Sequence, residues 1–315
     1  MSIYNKILVI ADINNDEQPA LTRAIQLAKK SVSKSQVTFF LSIYDFSYDM
    51  TSMLSLDERD AMRRGVIQQR ELWMKSVAEP LLDESIDFNV KVVWHNRPYE
   101  AIVAEVYGGE HDIVIKGTRK HAALESVIFT PTDWHLLRKC PCPVLLVKQA
   151  PWPEKANIMA SVHVGSENDV HLGLNDNMVT QLLDLTNRLD ATPYLVNAYP
   201  ITPVNITIEL PEFDPTTYTD AVRGYHLTAM KSLRQKHGLD EDQTVVMQGL
   251  PEDVIPETAG ELKAAMVILG TTGRTGLSAV FIGNTAEHVI DNIDCDVLAL
   301  KPDGYISPLD PNNTN

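Results

Sequence analysis

Ala264-Ala265-Met266-Val267-Ile268-Leu269, then Gly270-Thr271-Thr272-Gly273 and, nine residues later, Gly283-Asn284-Thr285, form the stretch on which the fold turns. The first six residues are an apolar run of strand length, the kind buried on both faces of a parallel sheet. Thr285 to Ile290 has the apolar spacing of an amphipathic helix. Glycines at a strand-to-helix transition bring backbone N–H groups to a ligand with no Cβ in the way. The helix aims its unpaired N–H groups and the positive end of its dipole at the same point. This spacing predicts a phosphate cradle, with Arg274 as a cation beside it. The plain alternative is that the glycines merely start a helix, with Asn284 at the N-cap and Glu287 as its capping partner.

The same stretch occurs twice. Shifted by 153 residues, 98–148 lies on 251–301 without a gap, and fourteen of the 51 positions are identical. They include Pro98/Pro251, Gly117/Gly270, Thr118/Thr271, Thr132/Thr285, His135/His288, Cys142/Cys295 and Lys148/Lys301. Units of that length are domains rather than solenoid repeats. The boundaries read as 1–150 and 151–305, followed by a polar tail, 306–315, expected to be disordered. Between the halves, Pro151-Trp152-Pro153 has no periodicity and reads as a linker.

In each half, strand-like runs alternate with helical patterns. Lys6–Ala11, Val37–Tyr44, Phe88–Trp94, Asp112–Lys116 and Val144–Lys148 are the strands of the first half, and Ile158–Val162, Tyr194–Ala198, Thr244–Met247, Ala265–Leu269 and Val297–Lys301 those of the second. Helices are expected over 20–28, 57–82, 99–107, 132–137, 178–189, 218–235, 252–262 and 285–290. The fold class is α/β: two tandem flavodoxin- or Rossmann-like domains, each an open parallel five-stranded sheet with helices on both faces. Ligands of such sheets bind beyond the carboxyl ends of the strands. The proline-rich segment 200–217 reads as a long loop, a lid or a contact surface.

The formal charge of −15 disfavours a nucleic-acid partner. No apolar run has membrane-spanning length, and the start of the chain runs directly into a strand, without a signal peptide. Three cysteines, an odd number, suit a reducing compartment, and the cytoplasm is expected.

Together, Gly270, Gly273 and Gly283, the Gly249-Leu250-Pro251 turn and the doubled layout resemble the universal stress protein family over nearly the whole chain. The family's nucleotide motif is G-x2-G-x9-G-(S/T); here Asn284 stands at the last place and Thr285 follows. The resemblance implies a stress-response protein in which some domains bind ATP, AMP or ADP, with or without magnesium. By the family's layout, Leu269, Gly270, Thr272, Gly273, Gly283, Asn284, Thr285 and Ala286 would line the phosphate and ribose side. His163 and Ala198 would sit near the base. The family's ATP binders carry an aspartate after strand one; Asp12 holds that place in the first half and His163 in the second.

The halves are not equivalent. Lys120 stands where Gly273 is, Thr130 where Gly283 is, and Pro131, which has no N–H to offer, where Asn284 is. Thr130-Pro131-Thr132-Asp133 reads as a self-sufficient helix start, with Thr at the N-cap, Pro at N1 and a carboxylate at N3. Nucleotide binding is therefore expected in the second half alone. The two halves are expected to pair as an intramolecular pseudo-dimer, with a homodimer of whole chains left open.

Other features carry less. Cys140-Pro141-Cys142 with His135 lacks the further ligands of a zinc site and reads as buried structural thiols. His95 and His121 could meet at the carboxyl edge of the first sheet, and His111 reads as a surface or capping residue. Trp94, Phe129 and Trp134 read as core, the alternative being an unidentified apolar ligand of the first half. No catalytic residue can be named, and at most slow ATP hydrolysis is expected.

Overall fold

The computed structural model of the chain describes residues 4–312 apart from 16, 32–33, 51–54, 121–126, 149–150, 167, 200–213 and 272–283. It divides into two units: Met1–Gln149 together with Ile306–Asn315, and Ala150–Tyr305.

In unit 1 the main strands are β1 (Lys6–Ile10), β2 (Gln36–Ile43), β3 (Asp87–Trp94), β4 (Ile113–Gly117) and β7 (Val144–Val147). A short antiparallel pair, β5 (Arg119–Lys120) and β6 (Val127–Ile128), lies between β4 and β7 in the sequence. Within the unit the order is β3-β2-β1-β4-β7, all parallel. Right-handed crossovers then place helices Pro19–Lys29 and Leu56–Ala78 on one face, and Pro98–Gly109 and Pro131–Lys139 on the other. Leu8 and Val9 point to opposite faces and both are fully buried, which is why the strand reads as an unbroken apolar run.

Unit 2 repeats the plan with β8 (Asn157–Ser161), β9 (Thr192–Tyr199), β10 (Thr244–Gln248), β11 (Ala264–Gly270) and β12 (Asp296–Leu300). Its order is β10-β9-β8-β11-β12, again all parallel. The order reverses between β1 and β4 in unit 1 and between β8 and β11 in unit 2. The carboxyl ends of those pairs are where an open α/β sheet leaves a crevice.

Three local expectations change. The first helix of unit 2 begins at Asp169 rather than Met178, because Asn168 caps it by accepting from Val170 N–H at 2.9 Å. Its first turn puts the apolar Val170 and Leu172 on the exposed side, which breaks the apolar period until Leu174. Pro215–Thr217, read as loop, opens the helix Pro215–His237, capped by Asp214, which accepts from Thr216 N–H at 3.0 Å; the rest of that loop lies outside the described residues. The tail is not free over 306–312. Ser307 is fully buried in unit 1 and its hydroxyl donates to the Lys139 carbonyl at 2.6 Å. The linker is tied as well, since Trp152 Nε1–H donates to Asp296 Oδ2 at 2.7 Å.

Candidate functional site

The carboxyl ends of β8, β9 and β11 carry the residues singled out in the second half. β11 closes at Gly270, and both the N–H and the hydroxyl of Thr271 donate to Leu300 O, at 2.8 and 2.9 Å. Unit 1 does the same: Thr118 N–H and Oγ1 donate to Val147 O at 2.9 and 3.0 Å. The threonine shared by the repeats thus fastens the end of one strand to its neighbour. The glycine before it differs in role. A Cβ at Gly270 would stand 2.5 Å from Leu174 Cδ2, whereas at Gly117 the nearest atom is Pro19 Cγ at an ordinary 3.7 Å. The space expected to admit a ligand at Gly270 admits Leu174 of the helix Asp169–Leu189.

Leu269 is buried and presents only backbone at the edge. Thr272, Gly273, Arg274 and Gly283 lie outside the described residues. Asn284 is the first residue of the helix Asn284–Asn292, Thr285 is exposed and Ala286 half-buried. Val289 and Ile290 bury the apolar face of that helix. It corresponds residue for residue, at the repeat offset, with Pro131–Lys139 of unit 1. The helix follows a strand whose carboxyl end forms the crevice, so its N–H groups face that crevice.

His163 follows β8. Its N–H donates to Asn175 Oδ1 and its carbonyl accepts from Asn175 Nδ2, both at 3.0 Å. Gln18 holds Asp12 in unit 1 in the same way, at 3.0 and 2.8 Å. The backbone at both positions is therefore committed to a side chain of the following segment. The His163 ring meets His171 edge-on at 5.5 Å. Burial by the protein beneath it, then the charges of His171 and His226, push its pKa down, although its rim is exposed. Ala198 is half-buried between Asn197 and Tyr199 on β9. Sequence reasoning missed Asn175, Asn197, Tyr199 and His226; the signal was Asn197, a polar residue inside the apolar run Tyr194–Ala198.

In unit 1 the corresponding helix start is closed by its own residues. Thr130 and Asp133 form a capping box: Thr130 N–H and Oγ1–H donate to Asp133 Oδ2 at 2.6 and 2.8 Å, and Asp133 N–H donates to Thr130 Oγ1 at 3.3 Å. Lys116, at the end of β4, places Nζ 2.7 Å from Asp133 Oδ1, and Asp133 is fully buried. A carboxylate and a lysine thus occupy the place of an anion at a helix N-terminus. Nearby, Lys148 Nζ lies over the Phe129 ring at 4.6 Å, and Phe129 packs against Trp134 at 5.3 Å. Trp94 meets Tyr44 and Tyr48 at 6.0 and 5.3 Å.

Cys140 and Cys142 are free thiols with sulfurs 3.6 Å apart; the contact to Cys140, then burial, pushes the Cys142 thiol well up. His135 stacks on Tyr99 at 4.0 Å. His95 Nδ1 accepts from Arg97 N–H at 3.0 Å, while His121 lies outside the described residues. His111 is buried beside Gly109 at the amino edge of the sheet, away from the crevice. Among the described residues no group of three or more His, Cys, Asp or Glu could hold a metal ion, and no helix is long and apolar enough to cross a membrane.

Two parallel α/β units, each with its switch-point crevice and one with a glycine-rich strand-to-helix loop in its sequence, define a tandem protein of the open-sheet α/β class. The sequence model of the universal stress protein family matches residues 3–148 and 174–301, and the chain belongs to that family of stress-response proteins. It is 53% identical over 311 residues to universal stress protein E of Escherichia coli (strain K12), covering 98% of each chain. It is 42% identical over 302 residues to the universal stress protein E homolog of Haemophilus influenzae, covering 95% of this chain and 98% of that one. A protein of unknown function from Pseudomonas aeruginosa PAO1 has a similar structure, with a TM-score of 0.73 at 29% identity over 95% of this chain and 93% of that one.

Proposed function

We propose that unit 2 binds an adenine nucleotide, ATP, ADP or AMP, with or without magnesium, and that the chain acts in the cytoplasm as a nucleotide-responsive stress-resistance factor. The observation that carries this reading is the difference between two equivalent helix starts. In unit 1, Lys116 and Asp133 satisfy the helix N-terminus internally. Their counterparts in unit 2 are Leu269 and Ala286, which supply neither charge. The acidic residue of that first turn, Glu287, stands one place further on. Phosphate is the anion such an end accepts. Binding would change association with a partner or a second copy.

Native mass spectrometry of the full chain purified without added nucleotide, then titrated with ATP, tests this. A single nucleotide per chain, lost in Gly273→Asp/Gly283→Asp, is expected. No uptake at millimolar ATP would instead favour an interaction module in which both loops only start helices. Survival of stress resistance in the double variant would point the same way.

A further inference from the structure

The ends of β8 and β9 hold a second arrangement, outside the glycine loop. Asn197 is fully buried, and its Nδ2 donates to Val162 O at 3.1 Å. That leaves Oδ1 as an acceptor, and His226, from the helix Pro215–His237, reaches it with Nδ1 at 2.9 Å. The proton of this hydrogen bond therefore sits on Nδ1, and Nε2 is the unprotonated nitrogen. The imidazole stacks on Tyr199 with ring centres 5.2 Å apart and planes 25° from parallel, and Tyr225 meets it edge-on at 5.7 Å. On another side lies Gly165: a Cβ there would stand 2.5 Å from His226 Cε1. His226 is buried, and burial lowers its pKa, so at neutral pH the ring is an uncharged heterocycle.

These are the parts of a pocket for a planar nitrogen heterocycle: an aromatic platform, an amide that donates or accepts at the ring edge, and a glycine giving the ring room. They lie at the ligand-binding end of the sheet, next to His163 and Ala198. We propose that the His226 imidazole is a built-in occupant of this heterocycle pocket, so that unit 2 selects its ligand by phosphate and gains little from the base. A hydrophobic plug would fill the space without the cost of burying an imidazole. Asn197, buried and half-satisfied by Val162, needs a partner with an N–H, which His226 supplies. The ligand class becomes a polyphosphate ester, with the purine tolerated rather than read. This rests on the nucleotide reading above.

Two arms test it on the full-length chain. The first compares ATP with inorganic tripolyphosphate by calorimetry, in the wild type and in His226→Ala. The second measures the melting temperature of both proteins with and without millimolar imidazole. Wild type should bind the two phosphates within about twofold of each other, because base stacking, otherwise worth roughly tenfold, is already taken by His226. His226→Ala should gain for ATP alone, and imidazole should raise the melting temperature of His226→Ala but not of wild type. A wild-type preference for ATP of roughly tenfold or more that disappears in His226→Ala would overturn the proposal. So would a folded His226→Ala on which imidazole has no effect. If neither phosphate binds wild type, the nucleotide reading fails, while the imidazole arm still decides whether the pocket is one for a heterocycle. Should His226→Ala not fold, Tyr199→Leu is measured in its place. It removes the platform and keeps the imidazole, so an unchanged ATP-to-tripolyphosphate ratio supports the proposal and a selective loss of ATP contradicts it.

Discussion

The two units share a strand order, a threonine latch and a backbone clamp, yet their carboxyl edges are opposites. Unit 1 fills the anion position with Asp133 and Lys116, and unit 2 leaves the equivalent positions to Ala286 and Leu269. Conversely, unit 2 holds His226 against Asn197 and Tyr199, while the matching positions of unit 1 are the apolar Leu41 and Ile43. A duplicated fold therefore keeps the devices that hold strands together and varies the few residues at the strand ends. What is retained by both halves is structural; what differs is where function is to be sought.

The largest effect should come from breaking the internal ion pair. Asp133→Ala removes the helix cap and strands Lys116, whose side chain is 14% exposed, beside the sheet. A loss of about 3–5 kcal/mol is expected from an orphaned buried charge, read from urea unfolding of the full chain monitored through domain 1 tryptophans. Unchanged stability would mean that the pair is incidental. Next, Gly270→Ala should cost about 1–3 kcal/mol through Leu174, the usual range for overpacking, whereas Gly117→Ala has room and should be close to neutral. Equal costs would refute the different roles given to the two glycines.

A smaller change tests the comparison from the other side. Leu269→Lys with Ala286→Asp installs unit 1's pair in unit 2 and should weaken ATP binding at least about tenfold, since like charges brought together across a binding surface cost several kcal/mol. The smallest effect concerns pH. His163 and His226 are held neutral below their ordinary value of 6.5. Their contribution to stability is complete above that value and is lost as pH falls through the lowered folded pKa. Acid titration of the melting temperature should show a shallower loss in His226→Gln than in the wild type; parallel curves would remove His226 from the acid limb.

Much of this was legible without coordinates, for identifiable reasons. The fold follows from apolar strand runs at a fixed offset, because strands buried on both faces cannot vary freely. The Thr130–Asp133 cap was readable because its partners lie three residues apart. By contrast, Lys116 with Asp133 and Asn197 with His226 join residues distant in sequence, and only the stacking of helix on strand brings them together. The solvent-facing Val170 and Leu172 in the first turn after Asn168 masked the start of that helix. Ser307 anchors the end of the chain through a hydroxyl and a carbonyl, a contact with no pattern in the sequence.

The central claim, that one edge is closed from within and the other open to phosphate, is tested most directly by calorimetric titration of ATP into three full-length proteins. These are the wild type, Asp133→Asn and Gly283→Asp. A single site per chain, kept in Asp133→Asn and lost in Gly283→Asp, is the predicted result. Two sites in the wild type, or a site that depends on Asp133 and survives Gly283→Asp, would contradict it.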